Sequence, residues 1–148
     1  MEDNSQRSWM IVDHTSDVMI EGKGRTFEKA LEGIAIALQN VMIDISSIKP
    51  RKVITDHVEV ASNSYENVLF EFLSKLVFIK DVKKFAYNDI NVSILNDNIT
   101  VKIHFTLKGE KIDINRHKIF TDVKGVSYCE LRVIKEKDYY ICRCVVDV

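Results

Sequence analysis

Chain breakers are scarce: one proline, Pro50, and five scattered glycines in 148 residues. That is too few, and too dispersed, to mark a linker between domains. Internal repeats and low-complexity tracts are absent as well. Three cysteines, an odd number, do not make a disulfide framework in a chain this long. No stretch approaches the roughly 20 apolar residues that a membrane helix needs. The polar start, Met1-Glu2-Asp3-Asn4-Ser5-Gln6-Arg7, lacks the apolar core of a signal peptide. An excess of one charge is missing too: 21 basic and 22 acidic side chains leave a net charge of −1. Binding to nucleic acid by bulk positive charge is therefore disfavoured. These absences leave one cytosolic domain, with a disordered tail over residues 1–7 and the folded unit over residues 8–148. A chain of this size can bury a real core.

What is present is periodicity. Phe27, Ala30, Leu31, Ile34, Leu38, Val41 and Met42 follow three-and-four spacing behind Thr26, a suitable N-cap. Tyr65, Val68, Leu69, Phe72, Leu73 and Leu76 repeat the pattern, and Asn63 with Glu66 has the spacing of a capping box. Strict alternation at Ile99, Val101, Ile103, Phe105 and Leu107 predicts a strand, paired through an Asn96-Asp97-Asn98 turn with Ile90 to Ile94. Leu131 to Lys135 and Tyr139 to Val146 predict a second hairpin. Shorter strands are expected at Trp9 to Val12, Val18 to Glu21 and Lys52 to Val60. The order predicts an α+β fold, two amphipathic helices packed with mostly antiparallel strands.

The chemistry concentrates in few places. Asp13-His14-Thr15-Ser16-Asp17 lies between two apolar runs. One reading is a turn held by Asx and hydroxyl hydrogen bonds. The other is a carboxylate site for a hard cation, which takes oxygen ligands. Two acids make a poor cage, but Asp147 and the terminal carboxylate of Val148 would complete it if the last strand ran beside the first. Glu21 to Thr26 ("EGKGRT") has two glycines and two cations before a helix, yet fits neither nucleotide-loop fingerprint, so a tight entry turn is expected. The cysteines read as small buried hydrophobes. His57 and His104 read as surface strand residues, while His14 and His117 stand in loops beside acids. Lys80, Lys83, Lys84, Arg116 and Lys118 read as solvated loops. Lys124, near Asp122, reads first as a surface lysine.

Taken together, three segments resemble the archease family. They are Asp13-His14-Thr15-Ser16-Asp17-Val18; the helix start Thr26-Phe27-Glu28-Lys29-Ala30; and Gly109-Glu110, Asp113, His117, Val123-Lys124-Gly125 with Tyr128. The family chain also ends just after an aspartate, as here at Asp147-Val148. Departures are Ser16 and Gly125 where alanine is usual, Met19 where glycine is common, and Cys129 at a position often held by histidine. None removes a carboxylate or the lysine.

The resemblance implies a single compact archease-like domain. It also implies a non-enzymatic cofactor of the RtcB-type RNA ligase that joins tRNA exon halves, promoting its guanylylation and repeated turnover. It places a divalent cation, calcium first and magnesium or manganese as alternatives, on Asp17, Asp147 and the carboxylate of Val148. Asp13 and His14 would stand behind those ligands, and Lys124 and His117 would contact the partner or its nucleotide. Transfer RNA would be met only through the ligase, and no membrane is involved. The rival readings are a stand-alone metal-dependent phosphoester hydrolase with His14 as base, and an RNA-binding module.

Overall fold

The computed structural model describes residues 17–148. The expected tail, the strand at Trp9 to Val12, and Asp13 and His14 lie outside the described residues. Six strands and two long helices follow one another as β1 (Asp17–Gly24), α1 (Phe27–Met42), β2 (Lys52–Val60), α2 (Tyr65–Lys83), β3 (Phe85–Asn96), β4 (Val101–Lys111), β5 (Gly125–Lys135) and β6 (Tyr140–Asp147), with a single 3-10 turn at Ile45–Ser47. The strands form two antiparallel three-stranded sheets, ordered β1-β6-β5 and β2-β4-β3. The α+β expectation holds, with the strands split between two sheets.

Helix α1 begins as its sequence requires, the Thr26 hydroxyl accepting from the backbone N–H of Lys29 at 3.1 Å. Phe27, Ala30, Leu31, Ile34, Leu38 and Met42 are buried as the spacing predicts, Val41 is half-buried, and Ala35 and Gln39 are buried with the stripe. The helix lies directly on β1. A Cβ at Gly22 would collide with the backbone of Ala30 and Ile34. The glycines of "EGKGRT" therefore serve close strand–helix packing, and β1 runs through to Gly24 in place of an entry turn at that point. Gly22→Ala is expected to cost about 2 kcal/mol or more, since the added methyl meets backbone that cannot swing aside. An unchanged urea midpoint for that variant would refute the close packing.

Helix α2 departs from expectation at both ends. Its N-cap is Ser64, whose hydroxyl accepts from Asn67 N–H at 3.3 Å, in place of the Asn63–Glu66 box. The Glu66 carboxylate reaches across to β5 and accepts from Val133 N–H at 2.9 Å. At the other end the helix continues past Leu76 to Lys83, closed by Lys84 in the left-handed conformation (φ 51°). Lys80 and Lys83 are thus helical, and Lys80 is buried.

In the second sheet Val101, Ile103, Phe105 and Leu107 face the core as predicted. Ile99 does not. It sits in the turn, where Asp97 Oδ1 accepts from Ile99 N–H (2.8 Å) and Thr100 N–H (2.7 Å), and it is 76% exposed. In the first sheet β5 starts at Gly125, six residues before the expected Leu131. A bulge between Ser127 and Arg132, with Glu130 at φ 66°, breaks the alternation that would have revealed it. Cys142 and Cys144 are buried on one face of β6, and burial pushes both thiols up to about 12. Cys129, contrary to expectation, lies exposed in the bulge.

Candidate functional site

The pairing of β1 with β6 puts Asp17 directly opposite Asp147, and the pairing of β6 with β5 puts Gly125 on the other side of Asp147. Residues opposed across an antiparallel pair share a face of the sheet, with Cβ atoms about 5 Å apart. That face alternates with the one buried through Ile20, Cys142, Cys144 and Val146. Asp17 is exposed and Asp147 half-buried. Further along the same face Arg143 pairs with Glu21 at 3.3 Å. Directly opposed like charges destabilise a sheet unless something neutralises them. The donor set is all oxygen: two opposed carboxylates, with the carboxylate of Val148 one residue on. Such a set suits a hard cation. Among the described residues no third histidine, cysteine, aspartate or glutamate side chain joins the pair.

Lys124 is brought to the same sheet end. Its backbone N–H donates to the Asp147 carbonyl at 2.8 Å, and its side chain is exposed. The segment that carries it is clamped from below by Lys80. The Lys80 ammonium donates to the Val123 carbonyl at 2.8 Å and to the carboxylate of Asp122, and it forms an ion pair with Asp81 at 2.8 Å. Sequence reading missed this residue. Its signal was present: Lys80 continues the buried stripe of α2 four residues after Leu76, an apolar position that a solvated loop would not occupy. A Cβ at Gly125 would meet Asp147 Oδ2 at 3.9 Å, ordinary contact distance, so glycine in place of alanine leaves the acid where it is.

His117 is engaged elsewhere. Its ring is enclosed, Nδ1 accepts from Asp113 N–H at 2.9 Å, and Nε2 therefore carries the proton shared with Glu110 at 2.9 Å. In this arrangement the ring has no face left for the partner contact expected of it. Glu110, 5% exposed, also accepts from Lys49 N–H at 2.7 Å and from both terminal nitrogens of Arg116. The Arg116 guanidinium, foremost among these donors, holds the Glu110 carboxyl down at about 2. Arg116 lies in an exposed turn, as expected, and its guanidinium is engaged in an ion pair with Glu110. His57, exposed, and His104, half-buried, face each other across β2 and β4 with ring centroids 5.8 Å apart.

Two helices against two three-stranded antiparallel sheets, with an acid pair ending one of them, define a small α+β domain with a carboxylate site at a sheet end. The chain belongs to the archease protein family, whose model matches residues 9–148. It is 33% identical over 139 residues to protein archease of Pyrobaculum calidifontis, covering 92% of each chain. It is 30% identical over 132 residues to that of Thermococcus gammatolerans, covering 89% of this chain and 92% of the relative. In structure it is similar to a Methanobacterium thermoautotrophicum protein solved in solution (TM-score 0.79, 23% identity, 92% of this chain and 95% of the other). It is also similar to a Thermotoga maritima protein described as an archease and possible chaperone (TM-score 0.57, 18% identity, 95% and 98% covered). Among the described residues no helix is long and apolar enough to cross a membrane.

Proposed function

We propose that this archease is an accessory protein of an RtcB-type RNA ligase in tRNA splicing and RNA repair, and that it acts in the cytoplasm without catalysing a reaction itself. The observation that carries the reading is the register that opposes Asp17 and Asp147 beside the Lys124 segment. These acids, with the carboxylate of Val148, would hold a divalent cation, calcium first and magnesium or manganese as alternatives. Asp13 and His14 precede Asp17 in the chain and would orient it. Bound there, the cation supplies positive charge for oxygen ligands of the partner. The chain's own part is to hold two carboxylates at fixed separation on a sheet and to present the Lys124 ammonium next to them, aimed at the partner or its nucleotide. Rigid strands are suited to that task because they keep geometry better than loops. Promotion of ligase guanylylation and repeated turnover would follow from this presentation, with tRNA contacted through the ligase.

The name "possible chaperone" given to the Thermotoga maritima relative fits an accessory role in general. A stand-alone hydrolase is less well supported. Its base would be His14, which lies outside the described residues; the three described histidines stand on Glu110 or on the other sheet and supply no second acid–base group at the acid pair. The test is multiple-turnover RNA ligation by the cognate ligase, with and without the native chain and with an untagged C-terminus. Stimulation is expected. A native chain that leaves turnover unchanged refutes the ligase reading, and a phosphoester panel would then be assayed.

A further inference from the structure

His57 on β2 and His104 on β4 are opposed across the antiparallel pair, with ring centroids 5.8 Å apart and ring planes inclined by 37°. They occupy the face of the second sheet turned away from the core: half-buried His104 alternates with buried Ile103 and Phe105, and His57 is exposed. The neighbouring rows on that face satisfy themselves. On one side the Thr55 and Thr106 hydroxyls lie 3.4 Å apart. On the other Glu59 pairs with Lys102 at 3.4 Å, which leaves that row without net charge. The two imidazoles are left with each other, and neither ring has a hydrogen-bond or ion-pair partner among the described residues. His117 differs, because Asp113 and Glu110 take both of its ring nitrogens.

This arrangement suits a metal ion. A neutral imidazole carries one nitrogen lone pair, and two such groups on paired strands make a chelate. With each nitrogen about 2.0 to 2.1 Å from a shared ion, the ring centroids would stand about 5 Å apart. Closing from 5.8 Å to that separation takes only side-chain rotation, and χ2 is a broad torsion in histidine. The backbone need not move, since directly opposed residues already hold their Cβ atoms about 5 Å apart. Donor type selects the ion. Imidazole suits zinc, copper and nickel, whereas calcium and magnesium take oxygen. The pair thus differs in kind from the carboxylates of Asp17 and Asp147, which stand on the other sheet. Among the described residues no third histidine, cysteine, aspartate or glutamate joins the two rings. The remaining coordination positions fall to water or to a donor atom of an incoming ligand, as in an exchangeable site and not a closed structural one. Zinc has no geometric preference of its own and tolerates such a ligand set.

We infer that His57 and His104 bind a divalent transition-metal ion, zinc foremost, as a two-imidazole bridge that staples the outer strand β2 to the central strand β4. The inference is independent of the accessory-protein reading and of any cation at the acid pair.

The test is a titration of the ¹⁵N-labelled full chain with zinc chloride, followed through the imidazole nitrogen signals. Excess calcium is present throughout, so that sites made of oxygen alone are already filled. The His57 and His104 rings are expected to shift together, those of His14 and His117 to stay in place, and calcium alone to move none of them. Either His57→Gln or His104→Gln is expected to weaken zinc binding by about 100-fold, the loss when attachment at two points becomes attachment at one. Both side chains lie on the solvent face, so each variant should melt with the native chain in the absence of zinc. Added zinc should then raise the melting temperature of the native chain and of neither variant. Zinc binding that survives both substitutions overturns the inference, as does zinc that moves the ring of His14 or His117 in place of this pair. So do native His57 and His104 signals that stay fixed in a large excess of zinc. Should a variant fail to fold, these native ring signals decide alone.

Discussion

Asp147→Ala is expected to abolish the stimulation of RNA ligation while leaving the free energy of urea unfolding within about 1 kcal/mol of the native value. Asp147 occupies the last position of β6, with its side chain on the face away from the core, so its loss removes no buried packing. It does remove one of the two opposed carboxylates. Because those charges repel when nothing lies between them, the variant should gain a little stability without divalent cations, and added calcium, which on the proposed function is expected to stabilise the native chain, should not stabilise the variant. Asp17→Ala should behave alike, because the two acids are opposite members of one cross-strand pair. Asp147→Asn separates the roles: it keeps the size and one acceptor oxygen but halves the charge of the pair, so cation binding should weaken more than folding. The measurement is multiple-turnover ligation beside a calcium-dependent melting series. Variants that fold and still stimulate at the native level would reduce the acid pair to a feature of the strand ends.

Glu110→Ala is expected to destabilise the fold by about 3 to 5 kcal/mol, the range for breaking one side of a buried ion pair. The carboxylate gathers Arg116, His117 and the backbone N–H of Lys49, and so joins the segment after β4 to the one before β2. Removing it leaves the enclosed His117 ring without its acceptor. Acid should expose the same dependence. The folded pKa of about 2 lies below the ordinary carboxyl value of 4.5. The stability that Glu110 contributes is therefore fully present above about pH 4.5 and is lost as the pH falls from there towards 2. Urea midpoints for the native chain and for Glu110→Ala, taken across that window, should converge at the acid end. Parallel profiles would show that Glu110 is not the group being titrated.

Much of the local architecture was legible from residues alone. The Thr26 cap, the α1 stripe and the alternation from Val101 to Leu107 are short-range signals, set by helical and strand periods that tertiary packing here reinforces. Legibility failed where a long-range contact overrode a local rule. The Asn63–Glu66 box gave way to Ser64 because Glu66 is drawn to Val133 on β5. The early half of β5 was hidden because the bulge at Glu130 shifts which residues face inward. Lys80 looked solvated because a lysine signals water unless a buried carbonyl and carboxylates await it, and these come from residues 122 and 123 and from its neighbour Asp81.

For the site the division is similar. By itself the sequence determined the candidates: the acids of the "DHTSD" stretch, Asp147 before the last residue, and Lys124 in "TDVKGV". It also determined the family, since ordered motifs survive where overall identity is low. Only the tertiary structure decided that Asp17 and Asp147 are partners, that Lys124 is hydrogen-bonded to the second of them, and that His117 is enclosed with Glu110 away from both. The reason is physical: a strand's sequence encodes which face each residue takes, whereas its neighbour and register are chosen by the packing of the whole core.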